Sequence, residues 1–382
     1  MLFKRRKSDF CARLTLPSTV FLSTVLLTVS IYSTLTIVPQ RRFSPRSLDA
    51  AMYEEAASNL SLANLSRPDS RVSAKSVVNV HATSPDPSES AGRSALSAII
   101  AKFRSRVAFQ TRPVVNPHPF DYVHNEPNAC AGKTVELMMA VPSRVDSFDL
   151  RQTIRETWGQ FATDGNKTVM LFFLGSSTND TIQQKVTEES QKHGDIVQEN
   201  FTDAYRNLSL KTVALVKWVS LHCPNSTFVL KADDDMYINV PRLMSRLRSQ
   251  FEKGPLFVIG YLLKEKEPFR TTSHKWYLPV SEYPEKTFPN YVSGTSYAMT
   301  TTAAMRLYVE SFYVRPLFLE DVYLTGILAD KASVPRISES EFFPNKASAS
   351  GCKFRKLICG HKNSPQEILK IHTELFNSTL KC

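Results

Sequence analysis

The sequence predicts an α/β domain whose mainly parallel sheet is covered on both faces, set behind an N-terminal membrane-crossing helix and a stem. Three observations predict this. From Val135 to Ala232 short apolar runs alternate with helix-periodic segments, the order that builds β-α-β units. One of those runs ends in Asp233-Asp234-Asp235, at the strand edge where open α/β sheets place ligands. Leu14–Val38 holds twenty-five residues without a charge, enough to cross a bilayer core of about 30 Å as a helix.

Lys4, Arg5, Arg6, Lys7 and Arg13 precede that run, so residues 1–13 read as a cytosolic tail and 14–38 as a signal-anchor with the remainder luminal. The length of the run and the lack of an Ala-x-Ala site favour an uncleaved anchor over a signal peptide. Residues 39–119, rich in Ser, Ala, Pro and Arg, read as a stem with short helices near 50–59 and 95–106. The globular domain takes residues 120–382. Eight Asn-x-Ser/Thr sequons (Asn59, Asn64, Asn166, Asn179, Asn200, Asn207, Asn225 and Asn377) follow the span and none precedes it. Beyond it stand five cysteines, Cys130, Cys223, Cys352, Cys359 and Cys382; an odd number leaves at least one without an intrachain partner, and spacing does not give the connectivity. The net charge of +11 is concentrated toward the N-terminus. Residues 1–129 carry sixteen Lys/Arg against nine Asp/Glu, and the rest thirty-one against twenty-seven, so the high pI mostly describes the tail and the segment after it and is a weak argument for nucleic-acid binding.

Within the domain, Val135–Val141 reads as a buried strand and Ser147–Trp158 as a helix with Leu150, Ile154 and Trp158 on one face. Thr168–Leu174 is the next strand, Asp180–His193 a helix stopped by Gly194, and Asp195–Val197 a short strand. Leu208–His222 is a helix leading into the strand that carries the aspartates. A helix at Val240–Phe251 and a strand at Leu256–Tyr261 follow. Lys264–Pro289, rich in charge, Pro and aromatics, is a loop. Tyr291–Thr300 is a strand broken at Gly294, where backbone can approach a ligand closely. Leu319–Lys331 is helical, and Ser364-Pro365-Gln366-Glu367 is a capping box opening a helix to Phe376.

Three adjacent carboxylates repel one another and resist ionising unless a cation joins them, and a hard divalent ion suits them. A solvated turn is the ordinary alternative. A calcium loop of the EF-hand type is excluded, because a frame starting at Asp233 has Ile238 where Gly is needed and Met244 where Glu is needed. A P-loop is excluded too, since Gly132-Lys133-Thr134 has Pro127 in place of the first Gly. Arg151 and Arg155 stand four apart on one helix face and repel unless an anion lies between them. Beside an acidic metal site they point to phosphate.

Five stretches, in order, are Arg151-Gln-Thr-Ile-Arg155-Glu-Thr-Trp158-Gly159, Asp203-Ala-Tyr205-Arg-Asn207-Leu-Ser-Leu-Lys211-Thr212, Lys231-Ala-Asp233-Asp-Asp235-Met-Tyr-Ile-Asn239, Tyr291-Val-Ser293-Gly294-Thr and Leu319-Glu320-Asp321-Val322-Tyr323. Together they resemble the successive motifs of the β-1,3-galactosyltransferase family, which is related to the β-1,3-N-acetylglucosaminyltransferases and to Fringe. The resemblance covers residues 116–382 and implies a single GT-A domain, Rossmann-like in its nucleotide-sugar half, that inverts configuration on transfer from a UDP-sugar with Mn²⁺. It also implies a single-pass type II protein of the Golgi membrane, with UDP-galactose and a glycan acceptor as partners, self-association into a homo-oligomer, and no nucleic acid.

The residue roles follow from the same resemblance. Asp235 matches the direct metal ligand, with Asp233 or Asp234 facing ribose or metal, and His361 resembles a second ligand ahead of the last helix. Asp321 matches the base that deprotonates the acceptor hydroxyl, and its place at a helix start favours the carboxylate form. Arg151, Arg155, Asp203 and Lys211 fall to the nucleotide side. Trp276, Tyr277, Gly294 and Glu320 fall to the acceptor groove, the two aromatics offering apolar faces to sugars. The chain departs from the family pattern at Val292 (often Cys), Ser296 (often Gly) and Cys359 (apolar expected). Alternatives of other kinds are a β-1,3-N-acetylglucosaminyltransferase, a metal-dependent phosphoesterase and a non-catalytic glycan-binding protein; the phosphoesterase lacks a visible second metal cluster, and retention of Asp235 and Asp321 speaks against the last.

Overall fold

A computed structural model describes residues 114–382 except Asp164 and Asn166. The expected span, most of the stem and the sequons Asn59, Asn64 and Asn166 lie outside the described residues. Among the described residues no helix is long and apolar enough to cross a membrane.

The elements run β1 (Tyr122–His124), β2 (Leu137–Pro142), α1 (Phe148–Glu156), a 3₁₀ turn (Trp158–Phe161), β3 (Thr168–Ser176), α2 (Asp180–His193), β4 (Ile196–Thr202), a 3₁₀ turn (Tyr205–Asn207), α3 (Leu208–His222), β5 (Phe228–Ala232) and β6 (Tyr237–Ile238). Then come α4 (Val240–Lys253), β7 (Val258–Leu263), β8 (Tyr291–Thr300), α5 (Thr301–Ser311), a π-helix (Val322–Leu328) continuing as α6 (Ala329–Lys331), β9 (Arg336–Ser338), α7 (Gly351–Phe354), β10 (Cys359–Gly360) and α8 (Pro365–Leu375). Local signals in the sequence account for several ends. Asn179 caps α2 by accepting from Ile182 N, and Gly194 ends it at φ 60°, a left-handed conformation cheap only for glycine. Ser364 and Glu367 close the capping box of α8.

Eight strands form one sheet in the order β1-β4-β3-β2-β5-β8-β7-β9. It is mixed but mainly parallel, as expected, since β2, β3, β4, β5, β7 and β9 run one way and only β1 and β8 oppose them. β2 pairs parallel with β3 and β5, β3 with β4, and β7 with β9, but β8 runs antiparallel between β5 and β7, and β1 antiparallel on β4. Apolar clusters cover both faces: Trp218 and Leu324 belong to one, Trp158 and Ile368 to the other. The expected break in β8 is a bulge. Val292 pairs with Leu262 and Tyr297 with Gly260, so Ser293–Ser296 swell out of that ladder while the strand continues. α5 has no counterpart in the sequence reading, and the helix expected at 319–331 is wound as a π-helix through most of its length.

The disulfides are Cys130–Cys223 and Cys352–Cys382, and Cys359 is free and buried, in keeping with an odd count. Ser296 and Cys359, two of the three departures from the family pattern, meet each other. The Ser296 hydroxyl favours the thiolate, yet burial dominates and pushes the Cys359 thiol up to about 12, so it is inert.

Candidate active site

β2, β3 and β5 end side by side, placing Ser143, Gly175 and Asp233 at one edge of the sheet. The aspartate turn beyond β5 is held from several sides. Asp233 N donates to Thr295 O at 3.0 Å, Met236 N to Asp233 O at 3.2 Å, and the buried Trp158 indole to Met236 O at 3.1 Å. β6 pairs with β10, and Asn363 N donates to Asp235 O at 2.9 Å, so the segment after β10 is pinned against the turn. That pairing brings His361 Nε2 within 3.6 Å of Asp235 Oδ2.

The three aspartates have different surroundings. Asp235 is pushed up to about 6 by burial and then by its two neighbours. Its Oδ1 and the Nδ1 of His361 are buried atoms without hydrogen-bond partners. Burial lowers His361, which keeps the imidazole neutral and its lone pair free for coordination. Asp234 accepts from Ser143 Oγ at 2.8 Å and is also raised by burial. Asp233 is paired with the Lys231 ammonium at 2.5 Å, so one of its oxygens is committed. Among the described residues no group of three or more His, Cys, Asp or Glu side chains closes around a cation. The residues present therefore fit a metal that takes Asp235 and His361 from the protein and its other ligands from substrate or water, while Asp233 gives one oxygen, Oδ1, to Lys231.

Lys231 is the structural centre of the site. It is the one charge in the buried strand Phe228–Ala232, and its ammonium contacts Asp233, donates to the Gly294 carbonyl and lies 3.2 Å from Glu320 Oε1. Burial works against that charge, but Asp233 and Glu320 more than reverse it and keep Lys231 protonated. Glu320, itself buried, accepts from the Tyr297 hydroxyl and the Thr212 hydroxyl at 3.2 Å each, and burial lifts it to about 7 against the pull of Lys231. It has no access to an acceptor, contrary to expectation. Asp321 caps the π-helix, its Oδ1 accepting from Val322 N at 2.9 Å and its Oδ2 from Gly294 N at 3.1 Å. Gly294 is needed there because a Cβ would come within 2.8 Å of Glu320 Oε1 and 3.1 Å of Asp321, so what its backbone approaches is a pair of carboxyl groups. The Val322 N–H at the helix start and the Gly294 N–H favour the carboxylate, but burial outweighs them and raises Asp321. A raised carboxyl is better matched to taking a proton near neutral pH.

The arginines expected at the nucleotide are closed off. Arg151 is wholly buried, and its guanidinium and that of Arg155 share Glu189, at 2.6 and 2.8 Å, while Arg155 also forks onto Asp195. The expected anion between them exists and is a protein carboxylate. Arg151 still reaches the site indirectly, donating to Ser143 Oγ at 3.1 Å. Asp203 and Lys211 pair with each other at 2.8 Å, and Lys211 also donates to Ser143 O at 2.6 Å, so both brace the sheet edge. Trp276 lies exposed on the 264–289 loop and Tyr277 half-buried beside it. Sequence reasoning assigned no role to Ser143, Lys231 or Tyr205. A lysine inside an otherwise apolar strand was the available signal for Lys231.

A family model described as Galactosyltransferase matches residues 149–340. The chain is 35% identical over 276 residues to beta-1,3-galactosyltransferase 1 of Mus musculus and equally to that of Homo sapiens, covering 72% of this chain and 84% of each relative. It is 33% identical over 266 residues to beta-1,3-galactosyltransferase 2 of Mus musculus, covering 68% of this chain and 63% of that one. Among solved structures, a glycosyltransferase involved in glycosylation of the major capsid of PBCV-1 superposes with a TM-score of 0.34 at 9% identity over 61% of this chain and 96% of that one, a likeness too low to carry any argument.

Proposed function

The chain belongs to the galactosyltransferase family, and on that premise we propose that it transfers galactose from UDP-galactose, in β-1,3 linkage, to a glycan of glycoprotein or glycolipid. The observation that carries this reading is that Lys231 links two functions: through Asp233 to the turn that bears the unpartnered atoms of Asp235 and His361, and through Glu320 and the Gly294 carbonyl to the residues beside the carboxyl of Asp321. A displacement at an anomeric carbon needs those two functions on opposite faces.

Asp321 takes the proton of the acceptor hydroxyl as its oxygen bonds to the anomeric carbon and the bond to the diphosphate breaks. Gly294 N and Val322 N hold that carboxyl in place. Asp235 and His361 would hold Mn²⁺, which supplies Lewis-acid neutralisation of the departing diphosphate. Asp234 and Ser143 shape the nucleotide side of the edge. In the same reading the domain is of the GT-A class and stands in the Golgi lumen on a type II anchor formed by Leu14–Val38. The charge asymmetry around that stretch and the sequons after it support this.

Purified full-length protein given UDP-galactose or UDP-N-acetylglucosamine, Mn²⁺ and a panel of glycan acceptors tests the proposal. Transfer of galactose is expected; transfer of N-acetylglucosamine alone reassigns the donor, and transfer from neither donor refutes the enzyme.

A further inference from the structure

Residues 361–363 join β10 to the cap of α8, and the turn they make is strained. Lys362 sits at φ 62°, in the left-handed region that a side chain disfavours. Four other non-glycine residues share that region among the described residues, but only Lys362 adjoins a residue of the candidate site. Strain of this kind persists only where the surroundings hold it, and it gathers at functional sites.

Lys346 holds it. Its ammonium donates to Lys362 O at 2.8 Å, to Asn363 Oδ1 at 3.3 Å and to Glu367 Oε2 at 2.6 Å, the oxygen that also accepts from Ser364 N at 2.8 Å in the capping box. An ammonium has three protons and these acceptors take all three, so Lys346 acts on the turn and has none left for a ligand. From the other side the buried Asn363 donates through Nδ2 to Gly360 O at 2.8 Å and to Asp235 O at 3.3 Å. The grip matters because the His361 ring has little else to aim it. Its Nδ1 is buried without a hydrogen-bond partner, and its Nε2 stands 3.6 Å from Asp235 Oδ2, beyond hydrogen-bond reach. A histidine that ligates a metal ordinarily has its second nitrogen fixed by an outer partner. Here the backbone that carries the ring does that work.

We propose that Lys346 is a positioning residue for His361: by holding Lys362 in its strained turn it keeps the imidazole beside Asp235, in place for a divalent cation. This rests on the galactosyltransferase reading, in which Asp235 and His361 are the metal's ligands from the protein. Lys346 itself touches neither of them and reaches the site through the main chain of residues 362 and 363.

Calorimetric titration of the full-length protein with UDP, with and without Mn²⁺, reads the metal side without turnover, beside a melting curve that shows each variant to be folded. In wild type Mn²⁺ is expected to tighten the binding of UDP. Lys346→Met is expected to weaken UDP about tenfold in the presence of Mn²⁺ and to leave its affinity without Mn²⁺ unchanged. Glycine adopts a positive φ unaided, so the double variant Lys346→Met with Lys362→Gly is expected to regain most of that loss. Lys370→Met, which changes an exposed lysine of α8 outside the turn, serves as the control. Unchanged affinity in Lys346→Met with Mn²⁺ present, equal weakening with and without Mn²⁺, or no recovery in the double variant overturns the proposal, the second by making Lys346 a contact of the nucleotide. A wild type that binds UDP equally with and without Mn²⁺ refutes the metal reading and the proposal with it. The expected pattern in a protein that transfers no galactose refutes the donor reading and leaves the positioning role standing.

Discussion

Two clusters of charge in the domain differ in how their charges are satisfied. In the first, Arg151 and Arg155 share Glu189, and Asp195 completes Arg155, so every guanidinium meets a carboxylate. Burial raises Glu189, but the two arginines more than reverse this and leave it below its ordinary value. In the second, Asp235, Glu320 and Asp321 are all raised, first by burial, and Asp235 Oδ1 and His361 Nδ1 have no hydrogen-bond partner. The first cluster is complete without a ligand and works as a brace. The second leaves carboxylates under electrostatic tension that a cation and a proton would relieve, which is what a reaction centre requires.

The largest test of that contrast is Asp321→Asn. Removing a general base lowers transfer by about 10²- to 10⁴-fold, and because Asn still accepts a hydrogen bond from Gly294 or Val322, thermal stability and UDP binding should hold. Steady-state kinetics beside a melting curve decide it. Glu189→Gln should give the opposite pattern. It leaves the buried Arg151 guanidinium without a carboxylate at a cost of about 3–5 kcal/mol, or a fall in Tm of roughly 10 °C, while kcat below the new melting range changes little.

Metal gives the next effect in size. Titrating Mn²⁺ with UDP should raise Tm, by about 2.7 kcal/mol of stability at a hundred times Kd. The shift should vanish in Asp235→Ala and His361→Ala but survive in Glu189→Gln. The smallest effect is in pH. Glu189 is depressed, so its contribution is present above the unfolded value near 4.5 and is lost as pH falls through the lower folded value. Glu320 is raised to about 7 and has the reverse sign. Its cost is absent below about 4.5, where both states are protonated, and grows as pH rises from there toward 7. Wild type should therefore lose stability relative to Glu320→Gln across that interval in pH-dependent melting, and parallel curves for the two would contradict the raised carboxyl.

Local signals in the chain were legible because their causes are local. Asp180–His193 with Gly194, Leu208–His222 and the Ser364 capping box stand where periodicity and caps place them. Strand direction is not a local property, and nothing in Tyr291–Thr300 reveals that it runs antiparallel between β5 and β7. The arginine pair was misread for the same reason: their repulsion is local, but Glu189 and Asp195, 34 to 40 residues away, answer it. Glu320 likewise falls to the acceptor groove in the sequence until Lys231, Tyr297 and Thr212 are brought to it. Asp235, Asp321 and His361 were placed by motif order, and the fold adds that the first and last meet across the β6–β10 pair while Gly294 N and Val322 N hold Asp321.

The most direct test is galactose transfer from UDP-galactose by full-length wild type, Asp321→Asn and Glu189→Gln, each assayed below its own Tm. Loss of turnover in Asp321→Asn at unchanged Tm, with turnover retained in Glu189→Gln at lowered Tm, is the predicted result. Turnover retained in Asp321→Asn, or lost in Glu189→Gln while it remains folded, would contradict the division between a reacting cluster and a bracing one.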